Sequence, residues 1–174
     1  MGFQVVAHLA RRAGVALDRE RFNAFTGRGE LAGHDTFLML PQTFMNASGA
    51  AVKRALGVLP VEDLAADVLL VLDDADLPLG RLRLRARGGD GGHRGLADVL
   101  AHLGSLDVAR LRYGIGRPDL PMDTADFVLQ AFSPQELPQV TRAVERAADA
   151  VECTLAEGIE TAMNRYNAEP EPPG

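Results

Sequence analysis

The chain has 174 residues, 47% of them hydrophobic, with no Trp and a formal net charge of −6. That length and apolar share suit one domain with a core of mainly Leu, Val and Ala, and exclude a chain disordered along most of its length. The single cysteine, Cys153, excludes an internal disulfide framework.

No apolar run approaches the roughly 20 residues needed to span a bilayer, so no membrane partner is expected. The absence of a basic, apolar leader points with the lone cysteine to the cytoplasm. The charge is uneven. Residues 81–117 carry eight arginines against Asp90, Asp98 and Asp107, whereas residues 119–174 carry three arginines against eleven acidic side chains. A local arginine field in an acidic chain suits one docked polyanion, and it equally suits a solvated strand.

In chain order, Phe3, Val6, Ala7 and Ala10 recur at helical spacing, predicting a helix over Gly2 to Ala13. Thr36–Leu40 and Asp67–Leu72 read as buried strands. A helix from about Phe44 to Leu59, ended near Pro60, lies between them. Together they predict a parallel, right-handed strand–helix–strand unit. Arg81-Leu82-Arg83-Leu84-Arg85 alternates strictly, as in a half-exposed strand with three arginines on one face. His93 to Leu103 suits a helix, Leu111 to Gly116 a strand, and Pro134 to Gly158 a long amphipathic helix followed by a short one near Thr161 to Tyr166. The tail, Glu169 to Gly174, is expected to be disordered. The fold class is therefore α/β, a single domain with helices flanking a mixed, twisted sheet.

Three polar constellations interrupt this pattern. Pro41 to Gly49 passes from a strand end into a helix, a place where α/β proteins put chemistry, and Asn46 brings an amide there beside Phe44 and Met45. Asp73, Asp74 and Asp76 follow a second apolar strand. Such carboxylates bind Mg²⁺, orient a histidine base, or cap a solvated turn. No His or Cys has convincing ligand spacing beside them. The loop Gly88 to Gly95 is rich enough in glycine to cradle phosphate, or to be a plain turn. It is neither a P-loop nor a dinucleotide fingerprint, because no Gly-Lys-Ser/Thr follows and Arg94 stands where the last Gly is required. His93 reads as a helix-start residue more readily than as a catalyst. No Gly-x-Ser-x-Gly elbow supports a serine hydrolase.

Four segments in order, Leu40 to Gly49, Asp73 to Gly80, Gly91 to Leu96 and Arg110 to Pro118, closely resemble bacterial peptidyl-tRNA hydrolase. The resemblance runs from Gly2 to about Asn167, with residues 168–174 as a tail. It implies a monomeric α/β enzyme that cleaves the ester between a peptide and the 3′ end of tRNA without metal or other cofactor. It implies catalytic roles for Asp73, which would orient and stabilise a charged histidine, and for Asn46, which would position ester or water. It implies substrate contacts for Phe44, Met45, Asn46, His93 and Arg94. Arg94 replaces a tRNA-contacting Asn of the family and would make a charge-assisted contact instead.

The family also has a first strand and an Arg-His-Asn motif bearing the general base ahead of the segment that matches Gly2 to Val6. The expectation is that this motif is missing and that the chain as written is impaired. A misread valine start codon or a natural truncation would each give this beginning. Three functions follow as alternatives: a peptidyl-tRNA esterase, a non-catalytic RNA-binding module like a chloroplast intron-splicing relative, and a metal-dependent phosphoesterase using Asp73, Asp74 and Asp76.

Overall fold

The computed structural model describes residues 1–44, 47–116 and 132–168. Its elements are α1 (Gly2–Arg12), β1 (Arg19–Arg21), β2 (Ala24–Leu31), β3 (His34–Pro41), α2 (Ser48–Leu56), α3 (Leu64–Asp67), β4 (Leu69–Asp74), β5 (Leu82–Arg85), α4 (Arg94–Leu103), β6 (Ala109–Gly114), α5 (Leu137–Glu157) and α6 (Ile159–Tyr166). The expected α/β class, with sheet flanked by helices, is what forms. Hydrogen bonding divides the strands into two three-stranded sheets, an antiparallel one ordered β1-β2-β3 and a mixed one ordered β4-β6-β5.

This division corrects the predicted parallel unit. Among the described residues β3 pairs only with β2, and β4 pairs in parallel with β6. Helix α1 packs against both β3 and β4 and so joins the two sheets. Asp67 is also not strand. It ends the short helix α3, where its carboxylate accepts the Glu62 and Asp63 N–H groups. The helix placed at Phe44–Leu59 is shorter, beginning at Ser48, and the tail from Glu169 lies outside the described residues.

In the mixed sheet, residues directly paired across strands share a face. Val71, Leu111 and Leu84 form one rung, and Asp73, Tyr113 and Leu82 the next. The apolar members of this face are buried under α1, α5 and α6, in a core that includes Val5, Leu9, Val144 and Ala147. The Tyr113 hydroxyl finds the Val140 carbonyl at 3.3 Å, and burial pushes its pKa up to about 12. Helix α1 turns Val5, Leu9 and Ala10 inward and leaves Phe3 about half exposed, so Phe3 does not belong to the buried stripe predicted for it. The opposite face of the sheet carries Leu70 and Leu72 toward α4 in a second cluster with Leu96, Leu100 and Val108.

On that second face Arg83 pairs with Arg112 and Arg85 with Arg110, so four arginines share one side of β5 and β6. The alternation read in residues 81–85 is confirmed by the full burial of Leu82 and Leu84. Strand β5 is an edge, and Asn167 closes it as a one-residue strand would. Its Oδ1 accepts the Leu84 N–H at 2.7 Å, its Nδ2 donates to the Leu84 carbonyl at 3.1 Å, and its own carbonyl accepts from Arg81. Replacing Asn167 by Ala strands both Leu84 backbone groups. Thermal unfolding of Asn167→Ala is expected to show a loss of about 1–3 kcal/mol, with an unchanged midpoint showing that water takes over both bonds.

Candidate functional site

The site grows from the C-terminal end of β4. Strand alternation sends Asp73 toward the α1 side and Asp74 toward the α4 side, so two adjacent carboxylates meet different surroundings. Asp74 is buried. Its Oδ2 lies 2.8 Å from Arg112 Nε, and its Oδ1 accepts the Asp76 N–H at 2.9 Å. The Arg112 contact is an ion pair, without the alignment of a hydrogen bond. Asp73 is nearly buried, 12% exposed at its side chain, and lies 3.7 Å from the Met1 nitrogen in an ion pair. Asp74 is thus engaged by the sheet, while the sheet lays no arginine on Asp73.

Arg112 also shapes the glycine loop. A Cβ at Gly91 would come within 3.1 Å of the Arg112 guanidinium, and Gly91 has φ of +58°, so only glycine suits the position. One rung away, the buried Arg110 donates to the Gly88 carbonyl at 2.6 Å. Its Nε and Nη2 have no hydrogen-bond partner among the described residues. Burial lowers its pKa, with Arg112 contributing. The loop is therefore seated on two arginines of β6. Neither Arg110 nor Arg112 was singled out as a site residue from sequence, although the pattern Arg-Leu-Arg-Tyr carried the signal of one polar face.

The loop delivers the chain into α4 at His93. The imidazole is the N-cap, its Nδ1 accepting the Leu96 N–H at 3.0 Å, which requires the neutral ring. Burial draws its pKa below the ordinary 6.5, opposed by the charges of Asp73 and, less, Asp74, while Arg112 adds to the lowering. The structure thus brings His93 into the field of both aspartates in a capping role. Arg94, the first residue of α4, is exposed.

Phe44 is 87% exposed. Met45 and Asn46 lie outside the described residues. Their neighbours fix where this segment begins and ends. The Ala47 N–H donates to the Phe44 carbonyl, and the Thr43 and Ser48 hydroxyls approach to 3.4 Å. Helix α2 has no side-chain cap of its own. Asp98 of α4 supplies one, its Oδ2 accepting the Gly49 N–H at 2.6 Å. A Cβ on Gly49 would sit 2.4 Å from the Asp98 carbonyl oxygen, so glycine permits the close approach of α2 to α4. Asp98 therefore ties the start of α2 to the helix that carries His93 and Arg94.

The donor set does not favour a metal cage at the three aspartates, since Asp74 is already neutralised by Arg112. Among the described residues no group of three or more His, Cys, Asp or Glu is arranged to hold a metal ion. No described helix is long and apolar enough to cross a membrane.

The family model for peptidyl-tRNA hydrolase matches residues 1–173. The chain belongs to the peptidyl-tRNA hydrolase family. It is 46% identical over 173 residues to the peptidyl-tRNA hydrolase of Roseiflexus castenholzii, covering 99% of this chain and 80% of that one. To that of Chloroflexus aurantiacus it is 43% identical over 167 residues, covering 96% and 88%. The crystal structure of peptidyl-tRNA hydrolase from Acinetobacter baumannii superposes with a TM-score of 0.82 at 33% identity, covering 95% of this chain and 84% of that one. A peptidyl-tRNA hydrolase complex with N-propanol gives a TM-score of 0.84 at 32% identity, with 98% and 86% covered. The match over residues 1–173 gives no support to the expectation that a leading strand and histidine motif are missing.

The His93 cap carries a pH dependence with a defined sign. Its folded-state pKa is below the unfolded 6.5, so its contribution is complete above pH 6.5 and is lost as pH falls from there toward the folded value. His93→Asn keeps a capping oxygen and removes the titration. The parent is expected to lose stability relative to this variant only below pH 6.5. Unfolding curves collected across that pH range check it, and a difference independent of pH contradicts it.

Proposed function

We propose that this chain hydrolyses peptidyl-tRNA, adding water across the ester that joins a peptide to the 3′ end of tRNA. The observation that carries this reading is a family match along nearly the whole chain, joined to an aspartate at the strand end that no arginine engages while its neighbour is consumed by Arg112. Asp73 is the acid that stabilises the charged form of the general base as that base takes the water's proton. Asn46 aligns the ester or the attacking water. Water adds to the carbonyl carbon and the bond to the ribose oxygen breaks. The ribose oxygen leaves with a proton, giving a free peptide acid and a tRNA hydroxyl.

Phe44 and Met45 supply apolar contact near the tRNA end, and His93 and Arg94 line the approach. The chain works as a monomer on the acceptor end of tRNA, without metal or other cofactor. Arg83 and Arg85, on the same sheet face as Arg110 and Arg112, support this reading as a place for phosphates.

Single-turnover cleavage of a peptidyl-tRNA at saturating protein, with tRNA binding measured separately, tests the proposal. The chain as written is expected to cleave slowly, at a rate indifferent to a chelator. Asp73→Asn is expected to lower that rate by up to about 10⁴-fold, as losing the acid that orients and stabilises a histidine base does, while tRNA affinity holds. Cleavage by Asp73→Asn at the parent rate contradicts the role of Asp73. A parent that binds tRNA and does not cleave it favours a non-catalytic RNA-binding module.

A further inference from the structure

The antiparallel sheet bears a second surface of nucleic-acid character, on elements that the proposed chemistry does not use. Strands β1 and β2 are joined by a two-residue turn in which Phe22 and Asn23 have φ of +58° and +56°. A turn with both residues left-handed suits Asn and Gly. Asn23 fits it, but a bulky aromatic at Phe22 does not, and left-handed phenylalanine is a strained choice. Strain of this kind collects where function holds it.

What the strain secures is a stack. The Arg21 guanidinium lies over the Phe22 ring, 4.8 Å from its centroid. Phe22 in turn meets Phe37 edge to face at 6.5 Å. Register places Arg19, Arg21, Arg28 and Phe37 on one face, through the pairs Arg19–Thr26, Arg21–Ala24, Thr26–Met39 and Arg28–Phe37. Arg28 is forked onto Asp35. Arg19 and Arg21 are exposed, and neither is ion-paired among the described residues. These groups border a groove of about 200 Å³ whose far wall is Val58 and Leu59, just beyond α2. One backbone hydrogen bond ties the hairpin to the strand end that leads toward the candidate site. The Asn23 carbonyl accepts the Gln42 N–H at 2.8 Å, where the segment leading to Phe44 and Asn46 begins.

We infer that this groove binds an unpaired nucleotide of the RNA substrate, its base stacked on the Arg21–Phe22 pair and its phosphate held by Arg19. A guanidinium over an aromatic ring offers a planar cation to a base, and a sheet face with aromatics and arginines is a sequence-tolerant platform for single-stranded nucleotides. Arg19 and Arg21, without an ion pair among the described residues, complement the polyanion, and the Asn23–Gln42 hydrogen bond ties the hairpin to the strand end that leads toward Phe44. The inference rests on the reading of peptidyl-tRNA as substrate.

Binding of deacylated tRNA and of peptidyl-tRNA to the full chain, followed by fluorescence anisotropy over a range of salt, tests it. Phe22→Asn relieves the turn. It is expected to unfold at the parent temperature or above, and to bind both RNAs about tenfold more weakly, as loss of one stacked base implies. Phe22→Tyr is expected to restore affinity. Arg21→Lys keeps charge without the plane, so it is expected to hold the salt slope and still lose affinity. Arg19→Gln is expected to flatten the slope.

Unchanged affinity in Phe22→Asn, beside weakened binding in Arg83→Ala/Arg85→Ala, overturns this inference and leaves the proposed function standing. Weakened binding of peptidyl-tRNA alone assigns the groove to the peptide and overturns the nucleotide. A lowered midpoint in Phe22→Asn with parental affinity makes the ring structural and also overturns it. A parent that binds neither RNA removes the proposed function and this inference together.

Discussion

The ion pair of Asp74 with Arg112 is the contact on which the site end of the molecule depends. It joins the last residue of β4 to the middle of β6, two strands that already run in parallel register. Because it is largely buried, removing one partner leaves a charge without compensation, which costs far more than the loss of a surface pair. Arg112 also lies under Gly91, so the same guanidinium sets the height of the glycine loop above the sheet. Arg110 seats the start of that loop through the Gly88 carbonyl. The loop then hands the chain to His93, which caps α4, and Asp98 of α4 caps the start of α2 at Gly49. One buried pair thus lies at the root of a chain of contacts that reaches every described segment of the candidate site.

The neighbouring aspartates show how a strand separates structure from chemistry. They are adjacent in sequence, yet the pleat points them to opposite faces. Asp74 meets an arginine and a backbone N–H, and its charge is spent on the fold. Asp73 shares its rung with Tyr113 and Leu82, whose side chains offer it no positive charge. Its one ion pair among the described residues is with the Met1 nitrogen, at 3.7 Å, and the proposed role is to stabilise the positive charge of a general base as it takes a proton. The metal reading treated the aspartates as one cluster, and the alternation of faces is what dissolves it.

Much of the fold was legible where one physical signal dominated. Alternation in residues 81–85 specified β5 and its buried Leu82 and Leu84, because a half-exposed strand admits little else. The long amphipathic pattern gave α5, and His93 was read as the start of α4, where it caps. The antiparallel hairpin was not legible. All of β1 is exposed, and Gly27 and Gly29 erase the alternation of β2, although both sit in close contact with Val15. The partner of β3 was therefore assigned to the next apolar run, when its true partner precedes it. Phe3 misled because an apolar residue at helical spacing need not face the core. Asp98 and Arg112 escaped notice for a related reason: each acts on an element distant in sequence, and spacing along the chain carries no trace of that.

The most direct test of this account is a double-mutant cycle over Asp74→Ala and Arg112→Ala, read by denaturant unfolding. A buried, coupled pair predicts that each single substitution costs about 3 kcal/mol or more, and that the double variant loses clearly less than the two together. Costs that add without coupling would contradict it, and would mean that the strand end and the glycine loop are held in place by something other than this pair.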